Sequence, residues 1–198
     1  MADTSPAPSD PVVPVAPPVK PTFGAQISFG DSLTDVGTYA VGTVKTRGGG
    51  TFTVNGDNTA IDPALTGKNW TAVLAARLGL AAPCAAQTGL DGDAASGFAV
   101  PVENHAGCLG YAQGGARVTN PVGPSNKLTG SALAALTVSV ATQIANHLTI
   151  SGGQFKAGDM VLVMARGNGG LFQLGALTAS ATAAGQRAGN TSPTRPAT

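Results

Sequence analysis

Ser32 ends the sequence Gly30-Asp31-Ser32, directly after the alternating run Ala25-Gln-Ile-Ser-Phe29. That alternation predicts a strand, and the residues after it carry helix-start chemistry. A serine at such a strand-to-helix turn points its hydroxyl into a cleft, where helix-start N–H groups favour developing negative charge. Gly30 permits the tight turn. These features suit the nucleophile of an acyl transfer, whose oxyanion needs donors already in place. The same residues also make a plain helix cap, and Asp31 either orients the neighbouring loop or caps a helix. Gly114-Gly115 and the Asn168 enclosed by Gly167 and Gly169 read locally as turns.

Proton acceptors are scarce. The two histidines are His105 and His147. His147 falls in a predicted helix and reads as a helix-surface residue. His105 lies between Cys84 and Cys108 and reads as a loop residue. The two cysteines flank a polar, Gly-rich stretch. In an exported chain their even number points to a disulfide, and in a reducing compartment to two buried thiols. Two Cys and two distant His lack the spacing of a zinc site, so no metal is expected. No cofactor is expected either.

The elements that position these groups follow from the pattern. Trp70, Val73, Leu74 and Leu78 recur at helical spacing in residues 69–80, with Gly79 near the stop. Leu133, Leu136, Val140, Ile144 and Leu148 share one face of an amphipathic helix predicted over 131–148. Met160-Val-Leu-Val-Met164 is a continuous apolar run, as in a buried parallel strand, and residues 171–184 read as another helix. Residues 47–67 read as a long surface loop. Strands alternating with helices predict an α/β fold with a mostly parallel sheet. Ligands of such sheets sit beyond the carboxyl ends of the strands, where loops 30–33, 113–116 and 166–170 would meet.

Composition excludes several functions. The chain has 198 residues, 11% of them charged, and a net charge of +1 with its Lys and Arg scattered. An electrostatic nucleic-acid binder needs a basic face, and aromatic residues at 5% offer few stacking platforms. No apolar run approaches the roughly 20 residues of a membrane span. A nucleotide-binding flavodoxin-like domain would need a phosphate-cradling Gly-x-Gly-x-x-Gly after the first strand, which is absent.

Three ordered stretches carry a resemblance. Phe29-Gly-Asp-Ser-Leu-Thr-Asp-Val-Gly-Thr-Tyr39 resembles the first sequence block of the GDSL-type (SGNH) serine ester hydrolases. Tyr111-Ala-Gln-Gly-Gly-Ala-Arg-Val118 resembles the second and Val161 to Phe172 the third, so the resemblance runs from about Ala25 to Leu177. It implies a flavodoxin-like three-layer α/β/α domain that cleaves carboxylic esters through an acyl-enzyme on Ser32. The implied oxyanion donors are the N–H of Ser32, the backbone of Gly115 and the side-chain amide of Asn168. The substrate would be a small-molecule or lipid ester.

The chain departs from the family in two places. The third block usually reads Gly-x-Asn-Asp; here it is Arg166-Gly167-Asn168-Gly169. The larger departure is the family's final Asp-x-x-His, which supplies the general base: no Asp here has a His three residues later. The base is therefore unassigned, with His147 and His105 as the candidates. A second reading follows, a truncated, weakly active or non-catalytic module of the same fold. The predicted organisation is a Pro-rich tether over 1–23, a partial hydrolase-like domain over 24–186 and a polar, Pro-rich tail over 187–198. The tail reads as a truncated or frame-altered terminus, with an incomplete sheet. The first residues carry no signal peptide. A Pro-rich tether often follows a removed export signal, so a secreted or periplasmic, cell-envelope location is expected.

Overall fold

The computed structural model describes residues 21–190 except Asp57, Ile61 and Arg166, with backbone alone for 184–190. Most of the expected tether and tail, and Arg166 of the third block, lie outside the described residues. The elements in chain order are β1 (Gln26–Gly30), α1 (Gly42–Thr46), α2 (Trp70–Leu78), β2 (Gln87–Asp91), β3 (Ala99–Asn104), α3 (Val140–Ile150), β4 (Met160–Met164) and α4 (Gly167–Asn190). Single 3-10 turns occupy Pro63–Leu65 and Lys127–Thr129. The class is mixed α/β, with β1 and β4 paired in parallel and β2 and β3 antiparallel.

β1 is the centre of the molecule, buried at all five positions. Side chains alternate across a strand, so its two faces carry different loads. Ile27 and Phe29 pack against Val140 and Ile144 of α3. On the other face, the buried Gln26 donates its Nε2 to the Thr71 carbonyl of α2 at 3.1 Å. α3 therefore covers one face of β1, and α2 is tied to the other at Gln26. Beside it, Gly110 bridges both Ser28 and Ala85 in parallel.

The Cys84–Cys108 disulfide closes next to that bridge, and Gly110 N–H donates to the Cys84 carbonyl at 3.0 Å. The crosslink thus fixes residues 109–111 against β1. The polar, Gly-rich stretch between the cysteines, read as a loop, holds the β2–β3 hairpin, with Gln87 opposite Asn104 and a register shift between Thr88 and Leu90. The mixed polarity of that stretch hides its alternation. Leu90 joins Tyr39 and Ala135 in a second core, with Phe98, Val100, Leu133 and Leu136 against it.

α2 starts at an N-cap, Asn69, whose side chain accepts from Thr71 N–H, and it stops at Gly79 in the left-handed conformation. The helix predicted over 131–148 begins only at Val140. Ala134 and Thr137 adopt positive φ, which no helix interior accommodates. Thr137 is held there by tertiary bonds: its N–H donates to Tyr39 Oη at 3.0 Å and its Oγ1 to the Pro121 carbonyl at 2.9 Å. Leu133 and Leu136 reach the core from irregular backbone, so their spacing imitates a helix without forming one. Ser139 then caps α3 through Thr142 N–H.

β4 pairs in parallel with β1, from Gln26↔Met160 to Gly30↔Met164. It is not the buried strand expected. Val161 and Val163 are 38% and 57% exposed, because among the described residues β4 has a strand on one side only. α4 runs beyond the residues predicted, to Asn190, past the expected start of the tail. Its Leu171, Leu174 and Leu177 are exposed.

Candidate active site

Ser32 follows β1 on a single turn, with Asp35 N–H donating to the carbonyls of Asp31 and Ser32 at 3.1 and 3.3 Å. No helix opens there: the next is the short α1, ten residues on. The expected helix field at Ser32 is thus reduced to one turn's worth of aligned peptides. Gly37, turning with positive φ, breaks the helical path, and the buried Asp35 gathers the local N–H groups instead. Ser32 itself is half-buried.

The turn is gripped from several sides. Gln143 of α3 meets both backbone atoms of Gly30, accepting its N–H and donating to its carbonyl, each at 2.9 Å. Gln113 N–H donates to the same carbonyl at 3.1 Å. A Cβ on Gly30 would run into the Met164 carbonyl, so glycine is required where β4 passes. Asp31 N–H donates to that Met164 carbonyl at 3.2 Å. The Asp31 carboxylate accepts Leu33 N–H at 3.2 Å, so it orders the turn. From α2, Asn69 donates its Nδ2 to the Leu33 carbonyl at 3.0 Å.

The second loop is anchored by Asp35. Its Oδ1 accepts the N–H groups of Gly37 and Thr38, and its Oδ2 accepts Gly114 N–H at 2.8 Å. Burial pushes its pKa up, and the three N–H donors work against that rise. Tyr39 Oη donates to the Gly114 carbonyl at 3.0 Å; burial raises this phenol's pKa. Gly115 turns at φ 81°, and a Cβ there would lie 2.5 Å from the Pro124 carbonyl oxygen and 2.9 Å from Thr137 Cγ2. Only glycine fits. Among the described residues the Gly115 N–H has no hydrogen-bond acceptor.

Asn168 sits in the first turn of α4 and donates its Nδ2 to the Ala116 carbonyl at 3.0 Å. The third loop is thereby tied to the second. One amide proton remains for another acceptor. The three loops expected at the carboxyl end of the sheet are therefore joined to one another by hydrogen bonds. Asp35 and Gln143, which do much of the joining, were not singled out in the sequence. The signal for Gln143 was a polar residue on the inward face of α3, three positions after Val140; for Asp35 it was the second aspartate of the first block.

The histidines lie elsewhere. His147 is buried, not on the surface as expected. It stacks on Phe155 with ring centroids 5.2 Å apart, meets Phe29 edge-on, and places Nδ1 3.2 Å from Tyr111 Oη. α3 runs antiparallel to β1: Gln143 is level with Gly30, and His147 lies one turn further toward the amino end of the strand. Ser32 lies beyond the carboxyl end of the strand, and the ring of His147 packs on Phe29 inside the core. Burial pulls the His147 pKa down, with Asp159 opposing and Lys156 adding to the shift. His105 follows β3 and hydrogen-bonds Thr88 Oγ1 through Nε2 at 2.8 Å. Among the described residues neither imidazole hydrogen-bonds Ser32.

Among the described residues no cluster of His, Cys, Asp and Glu could hold a metal ion, and no helix is long and apolar enough to cross a membrane. Comparison with protein-family models, curated proteins and solved structures returns no match.

Proposed function

We propose that the chain is a carboxylic ester hydrolase similar to the GDSL-type enzymes, acting through an acyl-enzyme on Ser32. Its scaffold would be the flavodoxin-like three-layer α/β/α domain of that family, a reading supported by the parallel β1–β4 pair and by α3 packed on β1. In the first step Ser32 Oγ attacks the ester carbonyl carbon while its proton passes to a base. The C–O bond to the alcohol then breaks, and the alcohol leaves carrying a proton. Water reverses the sequence to free the acid. Negative charge develops on the carbonyl oxygen, and the N–H groups of Ser32 and Gly115 and the Asn168 amide would receive it. Each such donor is worth on the order of 10²–10³ in rate.

The observation that carries this reading is the hydrogen-bonded union of the three loops. Asp35 to Gly114, Asn168 to Ala116 and Asp31 to Met164 tie the loops carrying Ser32, Gly115 and Asn168 to the ends of β1 and β4, which supports the proposed roles. Labelling with a fluorophosphonate tests it. The adduct is expected on Ser32 alone and absent from Ser32→Ala; an adduct on another serine with Ser32 clean rejects the assignment.

A second reading, a weakly active or non-catalytic module, is favoured by the histidine positions. The same labelling separates out a non-catalytic module, which leaves Ser32 unmodified; kcat/KM on matched aryl and alkyl esters separates out a weakly active one. The disulfide fits a secreted or cell-envelope location, which we also propose.

A further inference from the structure

Behind the Gly30 turn, which Gln113 and Gln143 hold, a cavity of about 700 Å³ opens between α3 and the segment closed by the disulfide. Its volume lies within the usual range of small-molecule sites, and Ser32, Gly115 and Asn168 are not among its lining residues. Among the described residues the lining contains no Asp, Glu, Lys or Arg, and its one imidazole, His105, is bonded to Thr88 Oγ1 at 2.8 Å. A cationic ligand would lose its hydration there without a countercharge, and an anionic one would meet only that engaged imidazole.

The polar groups it does contain form an ordered chain. Gln113 Oε1 accepts the backbone N–H of Val138 at 2.9 Å. A backbone N–H can only donate, so this contact fixes the amide's orientation. Gln113 Nε2 must then face Gln87 Oε1, at 3.0 Å, and Gln87 Nε2 faces Asn104 Oδ1, also at 3.0 Å. The chain ends on the Asn104 Nδ2 protons, which have no acceptor among the described residues. Asn146, on the opposite wall, keeps its side-chain amide uncommitted among the described residues. Tyr111, Ala86, Val138 and Ile150 add apolar wall between these polar points.

We propose that this cavity binds a neutral, polyhydroxylated ligand of the saccharide class. A sugar hydroxyl both donates and accepts, matching side-chain amides on two walls, while its C–H surface covers the apolar wall between them. The site is independent of the ester-hydrolase reading and stands if that reading fails.

The test uses the full chain with maltotriose and triacetylchitotriose as probes, followed by saturation-transfer NMR and calorimetry. Glucose 6-phosphate serves as the charged comparison. At least one neutral probe is expected to bind with Kd on the order of 1 mM or tighter. Asn104→Leu, at an exposed position, should weaken binding about tenfold. Thr149→Trp, which fills the cavity from the exposed side of α3, should abolish it; Ser32→Ala should leave it unchanged. If Thr149→Trp lowers Tm, Asn104→Leu decides alone. No saturation transfer from either sugar at about 10 mM, binding untouched by these cavity variants, or tighter binding of glucose 6-phosphate would each overturn the proposal.

Discussion

The carboxylate of Asp35 and the backbone N–H of Gly114 meet at 2.8 Å across 79 positions of sequence. That single contact sets the second loop against the nucleophile's turn. Its energetics argue that positioning, not stability, is what the carboxylate contributes. The folded-state pKa of Asp35 is raised by burial. A raised carboxyl pKa gives stability that is present below the unfolded value and lost as pH rises through the folded one. Above that folded value the buried charge is a cost, offset in part by three N–H donors.

Asp35→Asn should separate the two effects. Removing the charge relieves the burial cost, but an amide whose oxygen serves Gly37 and Thr38 turns its NH₂ toward Gly114 N–H. Tm is expected to change little, while kcat/KM for an aryl ester falls by up to the order of 10²-fold as Gly115 loses its placement. A large loss of Tm with unchanged kcat/KM would reject the positioning role.

The disulfide acts on the same loop through Gly110. Its closed loop spans 24 positions, which corresponds to roughly 3 kcal/mol in the chain-entropy model. Reduction should lower Tm by several degrees and loosen residues 109–116, read as faster amide exchange there. Unchanged exchange at Gly110 and Tyr111 after reduction would show that the crosslink does not restrain the site.

What was legible in the sequence was local. β1, β4 and α2 carry their own patterns, and the caps Asn69 and Gly79 announce themselves by residue type. What stayed hidden was tertiary. The Leu133–Leu136–Val140 spacing reads as a helix because periodicity alone does not reveal that Tyr39 Oη holds Thr137 at positive φ. His147 reads as a surface residue because its face of α3 is polar at Gln143, yet that glutamine points inward to Gly30. β4 reads as buried because an apolar strand carries no mark of how many neighbours it has.

His147 should make stability depend on pH. Its folded pKa is lowered by burial, so the unfolded chain takes up a proton more readily. Stability is then full above the unfolded value of about 6.5 and is lost as pH falls below it. Between about pH 7 and pH 5 Tm is expected to fall relative to His147→Phe, in which the opposite contribution of Asp35 is unchanged. His147→Phe, which keeps an aromatic ring among Phe29, Tyr111 and Phe155, should flatten that slope. An equal slope in the variant would assign the pH dependence to other groups.

The same position decides how Ser32 can act. A serine hydroxyl needs a base to take its proton, and the chain offers His147, enclosed by Phe29, Tyr111 and Phe155, and His105 bonded to Thr88. A triad lacking one member keeps only about 10³–10⁴ over the uncatalysed rate, from oxyanion stabilisation and binding. This chain should therefore hydrolyse activated aryl esters weakly and alkyl esters still less, because a phenolate leaves without protonation and an alkoxide does not. The measurement is kcat/KM on matched aryl and alkyl esters for the chain, His105→Ala and His147→Ala. Both variants should retain the parent's weak aryl activity, since neither ring reaches the nucleophile. Robust turnover of both esters that collapses in one variant would identify the base and show that the loop carrying it moves to Ser32. His105 is the better placed for such a movement, since it hangs from the end of β3 on one side-chain bond and the Ala86 carbonyl. His147 would have to leave an aromatic cluster and carry α3 with it.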